Sequence, residues 1–160
     1  MRIRQVVTDA FGQPDEADLV DALRADVRAW IPELSIVATD GDGLVVGFAL
    51  LTRCRVGAEP ALALAPCAVV GDLQNTGVGT AVTAAALDAA RSRVTEGADE
   101  NLVVVLGHPE FYPRFGFRRA SEAGITASFE VPDDALMYLA LDPDRSIPSG
   151  VIEYPPAFGV

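Results

Sequence analysis

Seven consecutive residues near the middle of the chain have the composition of a site that binds an anion through its backbone. They are Gln74, Asn75, Thr76, Gly77, Val78, Gly79 and Thr80. The two glycines let ligand oxygens approach the main chain closely, and a helix beginning here would direct several N–H groups at one point. The helix dipole adds favourable potential, so the pattern predicts a pyrophosphate cradle that needs no lysine. On this motif alone, a purely structural turn is at least as good an interpretation.

A dinucleotide-binding motif is the nearest chemical alternative. Gly77 and Gly79 supply two of the three glycines of G-x-G-x-x-G, but Val82 stands at the third position. The strand expected before the loop ends several residues before Gly77, and the motif lies in the middle of the chain rather than after a first strand. A nicotinamide-binding domain is therefore ranked lower and is separable by a binding test with each cofactor.

A second motif spans residues 103–117 and reads Val-Val-Val-Leu-Gly-His-Pro-Glu-Phe-Tyr-Pro-Arg-Phe-Gly-Phe. Together the two motifs resemble the GNAT superfamily of acetyl-CoA-dependent N-acetyltransferases, which carries Q/R-x-x-G-x-G/A after its fourth strand and Y-x-K/R-x-G-F later. The first pattern is matched by Gln74, Gly77 and Gly79. The second is matched by Tyr112, Arg114, Gly116 and Phe117. The resemblance covers residues 3–141, and the run 106–117 is similar to a mostly uncharacterised branch of bacterial N-acetyltransferases.

The resemblance implies a bound acetyl-CoA as cosubstrate, with its pyrophosphate on the amides of residues 74–80. It places the pantetheine arm along Cys67, Ala68 and Val69 like an added strand. It also makes Tyr112 the group that donates a hydrogen bond or a proton to the departing thiolate. A free tyrosine has a pKa of about 10 and a free thiol one of about 8.5, so full proton transfer from the tyrosine to the thiolate is uphill. Hydrogen bonding without proton transfer is the alternative. Without the family pattern, Tyr112 is interpreted as an amphipathic residue of the core.

The sequence departs from the family pattern at two places. Thr76 stands where many members carry arginine or lysine, which leaves pyrophosphate binding to neutral amides and the helix dipole. Some members use a glutamate of the central strand as general base, whereas residues 61–70 contain no carboxylate. His108 and Glu33 are the candidate proton acceptors, and the ring of His108 could equally cap a short helix at Pro109.

Composition removes several other classes of enzyme. All 12 basic residues are arginine, so a Schiff-base lysine and a Walker lysine are both excluded. One histidine rules out an H-E-x-x-H zinc site, no serine lies in G-x-S-x-G, and no metal is expected. Cys54 and Cys67 lack C-x-x-C spacing and are interpreted as buried thiols. The net charge of -11 repels nucleic acid and favours a cationic small molecule or peptide.

The ends and apolar runs of the chain indicate a cytoplasmic enzyme. The first eight residues contain no apolar h-region, and no apolar stretch reaches the roughly 20 residues of a membrane helix. No membrane partner is expected. Sheet edges and the proline-rich tail are compatible with a homodimer.

The elements expected before the first motif are one strand, one helix and three further strands. Residues 3–8 are rich in β-branched side chains and predict a first strand. A helix is expected from Pro14 to Pro32, with an apolar face of Leu19, Leu23, Val27 and Trp30. Residues 34–39 and 44–56 predict a hairpin around two Asp-Gly pairs, and residues 61–70 predict a central strand covered on both faces.

The elements expected around and after the motifs complete an α/β fold. Residues 77–94 predict the longest helix and residues 102–106 a strand parallel to the central one. Residues 107–116 predict a turn or short helix, and residues 117–129 and 135–141 predict closing strands. The expected GNAT fold is a mixed, mostly antiparallel sheet with parallel central strands 4 and 5, flanked by helices. Residues 1–141 form the expected acetyltransferase domain, and residues 142–160 a proline- and glycine-rich tail packed on it.

The functional prediction is transfer of the acetyl group of acetyl-CoA to an amine of a small molecule or peptide. The amine attacks directly in a ternary complex, without a covalent enzyme intermediate. The alternative is a CoA-binding regulatory module of the same fold that has lost turnover, which the change at Thr76 and the missing strand glutamate would suit. No sequence pattern in the acceptor pocket of such a fold identifies its substrate, so the sequence does not predict which amine is acetylated.

Overall fold

The computed structural model of the chain describes residues 2–74 and 76–160, apart from the side chains of residues 2 and 72. The described chain divides into two compact units. The first comprises the residues up to Thr52 together with Ala65–Ala89, and the second comprises Arg53–Leu64 together with Ala90–Val160.

The first unit begins with two helices, α1 (Arg2–Phe11) and α2 (Asp15–Ala25). The strand predicted over residues 3–8 is therefore wrong. The apolar residues Ile3, Val6 and Val7 recur at helical spacing, and Val6 and Val7 are fully buried. Arg4 lies on the exposed side, where its guanidinium contacts two carboxylates of α2. Burial at a period of 3.6 outweighs the β-propensity of these branched residues.

Helix α2 is shorter than predicted. Its first turn is acidic, which suits the positive end of the helix dipole, and Pro14 is its N-cap rather than its first helical residue. The buried face consists of Ala17, Val20 and Leu23. The helix ends at Ala25, so the prediction that Val27 belongs to the buried face is wrong, and its side chain is 88% exposed.

The first unit also contains the predicted hairpin. Strands β1 (Ser35–Thr39) and β2 (Val45–Val56) pair antiparallel, with Ser35 opposite Leu50. The turn is closed by Asp40, whose carboxylate accepts hydrogen bonds from the N–H groups of Asp42 (2.9 Å) and Leu44 (3.0 Å). This confirms the hairpin.

The central strand and the long helix also match the prediction. Strand β3 (Glu59–Val69) follows β2, and helix α3 (Val78–Thr95) follows a loop that contains a short 3-10 helix at Gly71–Leu73. Strands β2 and β3 and helix α3 each contribute residues to both units. The start of α3 lies in the first unit, and this is the segment that carries the first motif.

The second unit holds the remaining strands. They are β4 (Leu102–Leu106), β5 (Arg118–Arg119), β6 (Ile125–Thr126), β7 (Leu136–Ala140) and β8 (Gly150–Glu153). The hydrogen-bonded order in this unit is β5-β7-β4-β3-β2-β8-β6. Strand β4 is parallel to β3, with Leu62 opposite Val103 and Ala63 opposite Val104, and antiparallel to β7. The prediction of a parallel crossover from the central strand is confirmed.

The observed sheet is mixed and mostly antiparallel, with flanking helices, as the fold class predicted. The central parallel pair is formed by the third and fourth strands instead of the fourth and fifth, because the predicted first strand is a helix, and β6 and β8 form a further parallel pair. The strand predicted over residues 117–129 is wrong as a continuous element. A 3-10 helix at Ala120–Ala123 and the left-handed Gly124 (φ +70°) reduce it to two two-residue strands.

The second unit has its own apolar core. It contains Cys54, Val56, Ala61, Ala63, Leu102, Val104, Ala120, Ile125, Leu136 and Ile152. Next to it, the buried Asn101 accepts a hydrogen bond from the Asp142 N–H (2.7 Å) and donates to the Asp142 carbonyl (3.0 Å). Asn101 thereby fixes the start of the tail, whose strand β8 pairs antiparallel with the end of β2. Across the described residues, no helix is long and apolar enough to cross a membrane.

Candidate functional site

The helix start, residues 74–80 of the first unit, is the segment predicted to bind an anion. Gly77 has φ +95°, and a Cβ placed on it would meet no atom within 4 Å. The first backbone bond into α3 runs from the Ala81 N–H to the Gly77 carbonyl (3.0 Å). The preceding N–H groups, at Val78, Gly79 and Thr80, have no intrahelical acceptor by helix geometry. The first turn carries no acidic residue, so nothing in it opposes a bound anion.

Two of the predicted cradle residues use their donors within the loop. The Gln74 N–H points at the Gly71 carbonyl (3.4 Å), and its side-chain amide donates to the Val69 carbonyl (3.1 Å). The Thr76 hydroxyl and N–H both donate to the Leu73 carbonyl. Gln74 and Thr76 therefore brace the loop through these hydrogen bonds. Asn75 lies outside the described residues.

The backbone N–H groups of the last residues of β3 point alternately toward and away from β2. The Val70 N–H donates to the Val46 carbonyl of β2 (2.9 Å). Because successive residues of a strand present their N–H groups to opposite sides, those of Cys67 and Val69 point away from β2, and that of Ala68 points toward it. The Cys67 thiol is half-buried and lies 3.4 Å from the Thr83 hydroxyl, and burial raises the pKa of this thiol.

Sequence reasoning missed Gly47, which fits the start of α3 against strand β2. A Cβ on Gly47 would lie 2.8 Å from Val78 Cγ1 and 3.3 Å from the Ala38 Cβ. Its φ lies outside the left-handed region, so space rather than backbone conformation requires glycine here. The available signal was a glycine inside an apolar strand pattern, which marks a close approach of another segment.

The tyrosine turn, residues 106–117 of the second unit, reverses the chain after β4. The Gly107 N–H donates to the Ala135 carbonyl (3.0 Å), and the His108 carbonyl accepts from the Phe111 N–H (3.1 Å). A 3-10 helix, Tyr112–Phe115, follows, and Gly116 ends it in the left-handed region with φ +98°. The turn or short helix predicted for this segment is confirmed.

The Tyr112 ring is held between aromatic neighbours. It is 8% exposed, and its centroid lies 5.0 Å from that of Phe111 and 5.7 Å from that of Phe117, both edge-on. The Arg114 guanidinium lies over the Phe111 ring at 5.7 Å. Tyr112, Arg114 and Phe117 of the Y-x-R-x-G-F pattern thus pack against aromatic rings, and Gly116 ends the 3-10 helix. The contacts with Phe111 and Phe117 hold the ring of Tyr112.

The two candidate proton acceptors are both exposed to solvent. His108 takes part in the turn through its backbone carbonyl, and the cap residue of the 3-10 helix is Phe111, without a side-chain cap. The alternative of a ring cap by His108 is therefore wrong. Glu33 lies in the first unit, in the 3-10 helix Pro32–Leu34. Within residues 2–74 and 76–160, no group of three or more His, Cys, Asp or Glu side chains could hold a metal ion.

Comparisons with known proteins show the family of the chain. Residues 1–117 match the model of the "Acetyltransferase (GNAT) family". The uncharacterized N-acetyltransferase YjhQ of Escherichia coli K12 is 37% identical over 137 residues, covering 82% of this chain and 72% of YjhQ. The uncharacterized N-acetyltransferase YhbS of the same strain is 30% identical over 154 residues, covering 91% of this chain and 84% of YhbS.

Two solved structures resemble the chain over nearly its whole length. The structure of E. coli YhbS in complex with CoA has a TM-score of 0.83 at 26% identity, and the match covers 99% of this chain and 85% of that one. A GNAT family acetyltransferase from Brucella melitensis in complex with acetyl-CoA has a TM-score of 0.67 at 26% identity, covering 98% and 90%. The family match and the relatives confirm the expected family, the solved structures agree with the fold, and this chain belongs to the GNAT acetyltransferase family.

Proposed function

We propose that this chain transfers the acetyl group of acetyl-CoA to an amine of a small molecule or peptide, by direct attack in a ternary complex. One observation carries the proposal: α3 begins beside an open glycine, Gly77, and its first turn contains no acid, so N–H groups without an intrahelical acceptor are available to an anion. The YhbS and B. melitensis relatives, solved with CoA and acetyl-CoA, support this assignment of the ligand.

The residues present fit such a ligand. The N–H groups of residues 77–80 and the dipole of the 18-residue helix α3 would hold the pyrophosphate. The N–H groups of Cys67 and Val69, directed away from β2, would bind the pantetheine arm as an added strand, while the N–H of Ala68 is directed toward β2. When bound, acetyl-CoA supplies a thioester that is activated for acyl transfer. Gln74 and Thr76 hold the loop in shape and are assigned no direct charge contact.

Tyr112 is the proposed catalytic residue. Its hydroxyl donates a hydrogen bond to the sulfur atom that departs, which stabilises the negative charge developing there. The aromatic neighbours keep the ring in one orientation, so little conformational entropy is lost when this hydrogen bond forms.

Direct attack is favoured because the two thiols of the chain are poor nucleophiles. Burial raises the pKa of Cys54 to about 12, and burial also raises that of Cys67. A thiol attacks as its thiolate, so neither cysteine is suited to carry an acetyl group at neutral pH. The amine attacks the thioester carbonyl itself and must lose a proton, since an alkylammonium is only about one part in a thousand deprotonated at pH 7. His108 is the proposed proton acceptor, and Glu33 is the second candidate.

A CoA-binding module without turnover is the second candidate function. Thr76 favours it, because its hydroxyl donates to the Leu73 carbonyl and offers no positive charge to a phosphate.

We also propose that residues 1–141 form the transferase domain and that residues 142–160 pack on the same domain. The hydrogen bonds of Asn101 to the tail and the β2–β8 pairing support this assignment.

The test is a panel of amines incubated with acetyl-CoA and the protein, followed by release of free thiol. Release that requires both the protein and one class of amine supports the transferase. Calorimetric CoA binding without release for any amine supports the binding module instead. Absence of CoA binding overturns both functions.

A further inference from the structure

We propose that Gly107 is a positioning residue for Tyr112: it lacks a side chain so that the tyrosine ring can lie where its hydroxyl reaches the reacting sulfur. This inference rests on the proposed catalytic role of Tyr112 and names the residue that sets the position of its ring.

The contact is closer than any side chain allows. A Cβ on Gly107 would lie 2.4 Å from Tyr112 Cε2, 3.1 Å from Cδ2 and 3.3 Å from Cζ. The φ of Gly107 is outside the left-handed region, so its backbone conformation is open to any residue. The ring of Tyr112, and not the turn itself, therefore requires glycine at this position.

Both partners are held by contacts with their neighbours, so relief of the clash must disturb one of them. The Gly107 N–H is bonded to the Ala135 carbonyl at 3.0 Å, and the preceding residue, Leu106, pairs with Leu136 in the β4–β7 ladder. The ring is packed against Phe111 and Phe117. A methyl group at Gly107 would rotate or displace the ring and carry the hydroxyl with it. A misplacement of about 1 Å can cost about a hundredfold in rate.

The first readout is spectroscopic and needs no acceptor. The chain has three tyrosines, so tyrosine-labelled protein gives a small set of ring signals, and Tyr112→Phe assigns the one from Tyr112. Gly107→Ala should shift that signal and leave the dissociation constant of CoA within about twofold of the original. Gly41→Ala is the matched control, because a Cβ there meets no atom within 4 Å, and it should leave the Tyr112 signal unchanged.

The second readout is a double-mutant cycle on kcat, using the most reactive amine of the panel. Gly107→Ala should lower kcat by about tenfold to a hundredfold in the original protein and by less than about twofold in the Tyr112→Phe background. Equal losses in both backgrounds, or an unshifted Tyr112 signal, would overturn the positioning role. An unchanged kcat in Tyr112→Phe itself would overturn both the catalytic role of Tyr112 and the inference built on it. Loss in Tyr112→Phe without loss in Gly107→Ala would overturn the inference alone.

A folding control covers the case in which Gly107→Ala melts below the assay temperature. Replacing the ring in Gly107→Ala/Tyr112→Leu should then restore most of the melting temperature, because the added methyl group meets the ring. Failure to restore it would mean that the methyl group conflicts with the backbone, and would overturn the inference.

Discussion

The helix start and the tyrosine turn differ in the groups proposed to act in them: backbone N–H groups in the first and a side-chain hydroxyl in the second. In the helix start the proposed groups are backbone N–H donors beside an open glycine, and side chains such as Gln74 only brace the loop. In the tyrosine turn the proposed group is one hydroxyl on a ring packed between two phenylalanines. Added atoms should therefore weaken CoA binding at the helix start, whereas the loss of a single atom should lower turnover at the tyrosine turn.

The largest effect is expected from removal of one oxygen in the tyrosine turn. Tyr112→Phe should lower kcat by about 10-fold to 1,000-fold, the range for a positioned proton donor, while the dissociation constant of CoA stays within about twofold. Steady-state kinetics, under conditions where chemistry limits the rate, and calorimetry measure the two quantities. Tyr138→Phe in strand β7 is the matched control and should keep full turnover. A kcat of Tyr112→Phe close to that of the original would reduce Tyr112 to a packing residue.

A smaller effect is expected from atoms added to the helix start. Gly79→Glu places a bulky negative group where the N–H donors converge, and it should weaken CoA binding at least about tenfold. Ser92→Glu adds the same charge to the same helix, roughly 20 Å away along its axis, and should leave CoA affinity nearly unchanged. Equal calorimetric affinities for Gly79→Glu and the original protein would place the cradle elsewhere.

A still smaller effect is expected where the helix start rests on strand β2. Gly47→Ala would bring a methyl group within 2.8 Å of Val78 Cγ1 and push the first residue of α3 outward. CoA affinity should fall by about threefold to tenfold, because the N–H donors no longer converge on one point. Val78→Ala removes the colliding atom, so Gly47→Ala/Val78→Ala should recover most of the affinity. A double variant as weak as Gly47→Ala would show that the contact with Val78 is not the cause.

The same contrast explains how much the sequence could predict. Runs with one dominant period, such as residues 102–106 and 35–39, were predicted within a residue or two, because their burial depends on local pattern. Residues 3–8 satisfy both a β-branched composition and a helical spacing, and only their packing decides between the two. The two-residue strands β5 and β6 lie on either side of a 3-10 turn that no periodicity announces.

The sequence motifs indicate the candidate site residues but not the residues that hold them in position. A family pattern indicates Tyr112 directly, whereas the role of Gly107 depends on a contact between residues five apart in a turn whose path the sequence does not specify. Gly47 and Val78 are 31 positions apart, and their contact exists only once α3 rests on β2. Likewise, the bracing bond from the Gln74 amide to Val69 depends on the shape of the loop.

The smallest effect concerns charge, which lies largely outside both regions. The first turn of α3 contains no acid, and the tyrosine turn carries one glutamate and one arginine, although the whole chain has a net charge of -11. Part of the acidic face of α2 is already neutralised, since Arg4 contacts Asp18 at 2.6 Å and Asp21 at 2.7 Å. The remaining field would attract a cationic amine only over several ångströms, and salt should screen it.

We therefore expect kcat/KM for a cationic amine to fall about twofold to fivefold between low salt and physiological ionic strength, where the screening length is about 8 Å. An arylamine that is uncharged at pH 7 is the matched control and should show little change, because it does not respond to the long-range field. Both are measured by thiol release at fixed, saturating acetyl-CoA. If neutral or anionic acceptors react best and salt leaves their rates unchanged, the acceptor is not a cation. The cradle and the tyrosine turn would then keep their assignments, because neither draws on the net charge of the chain.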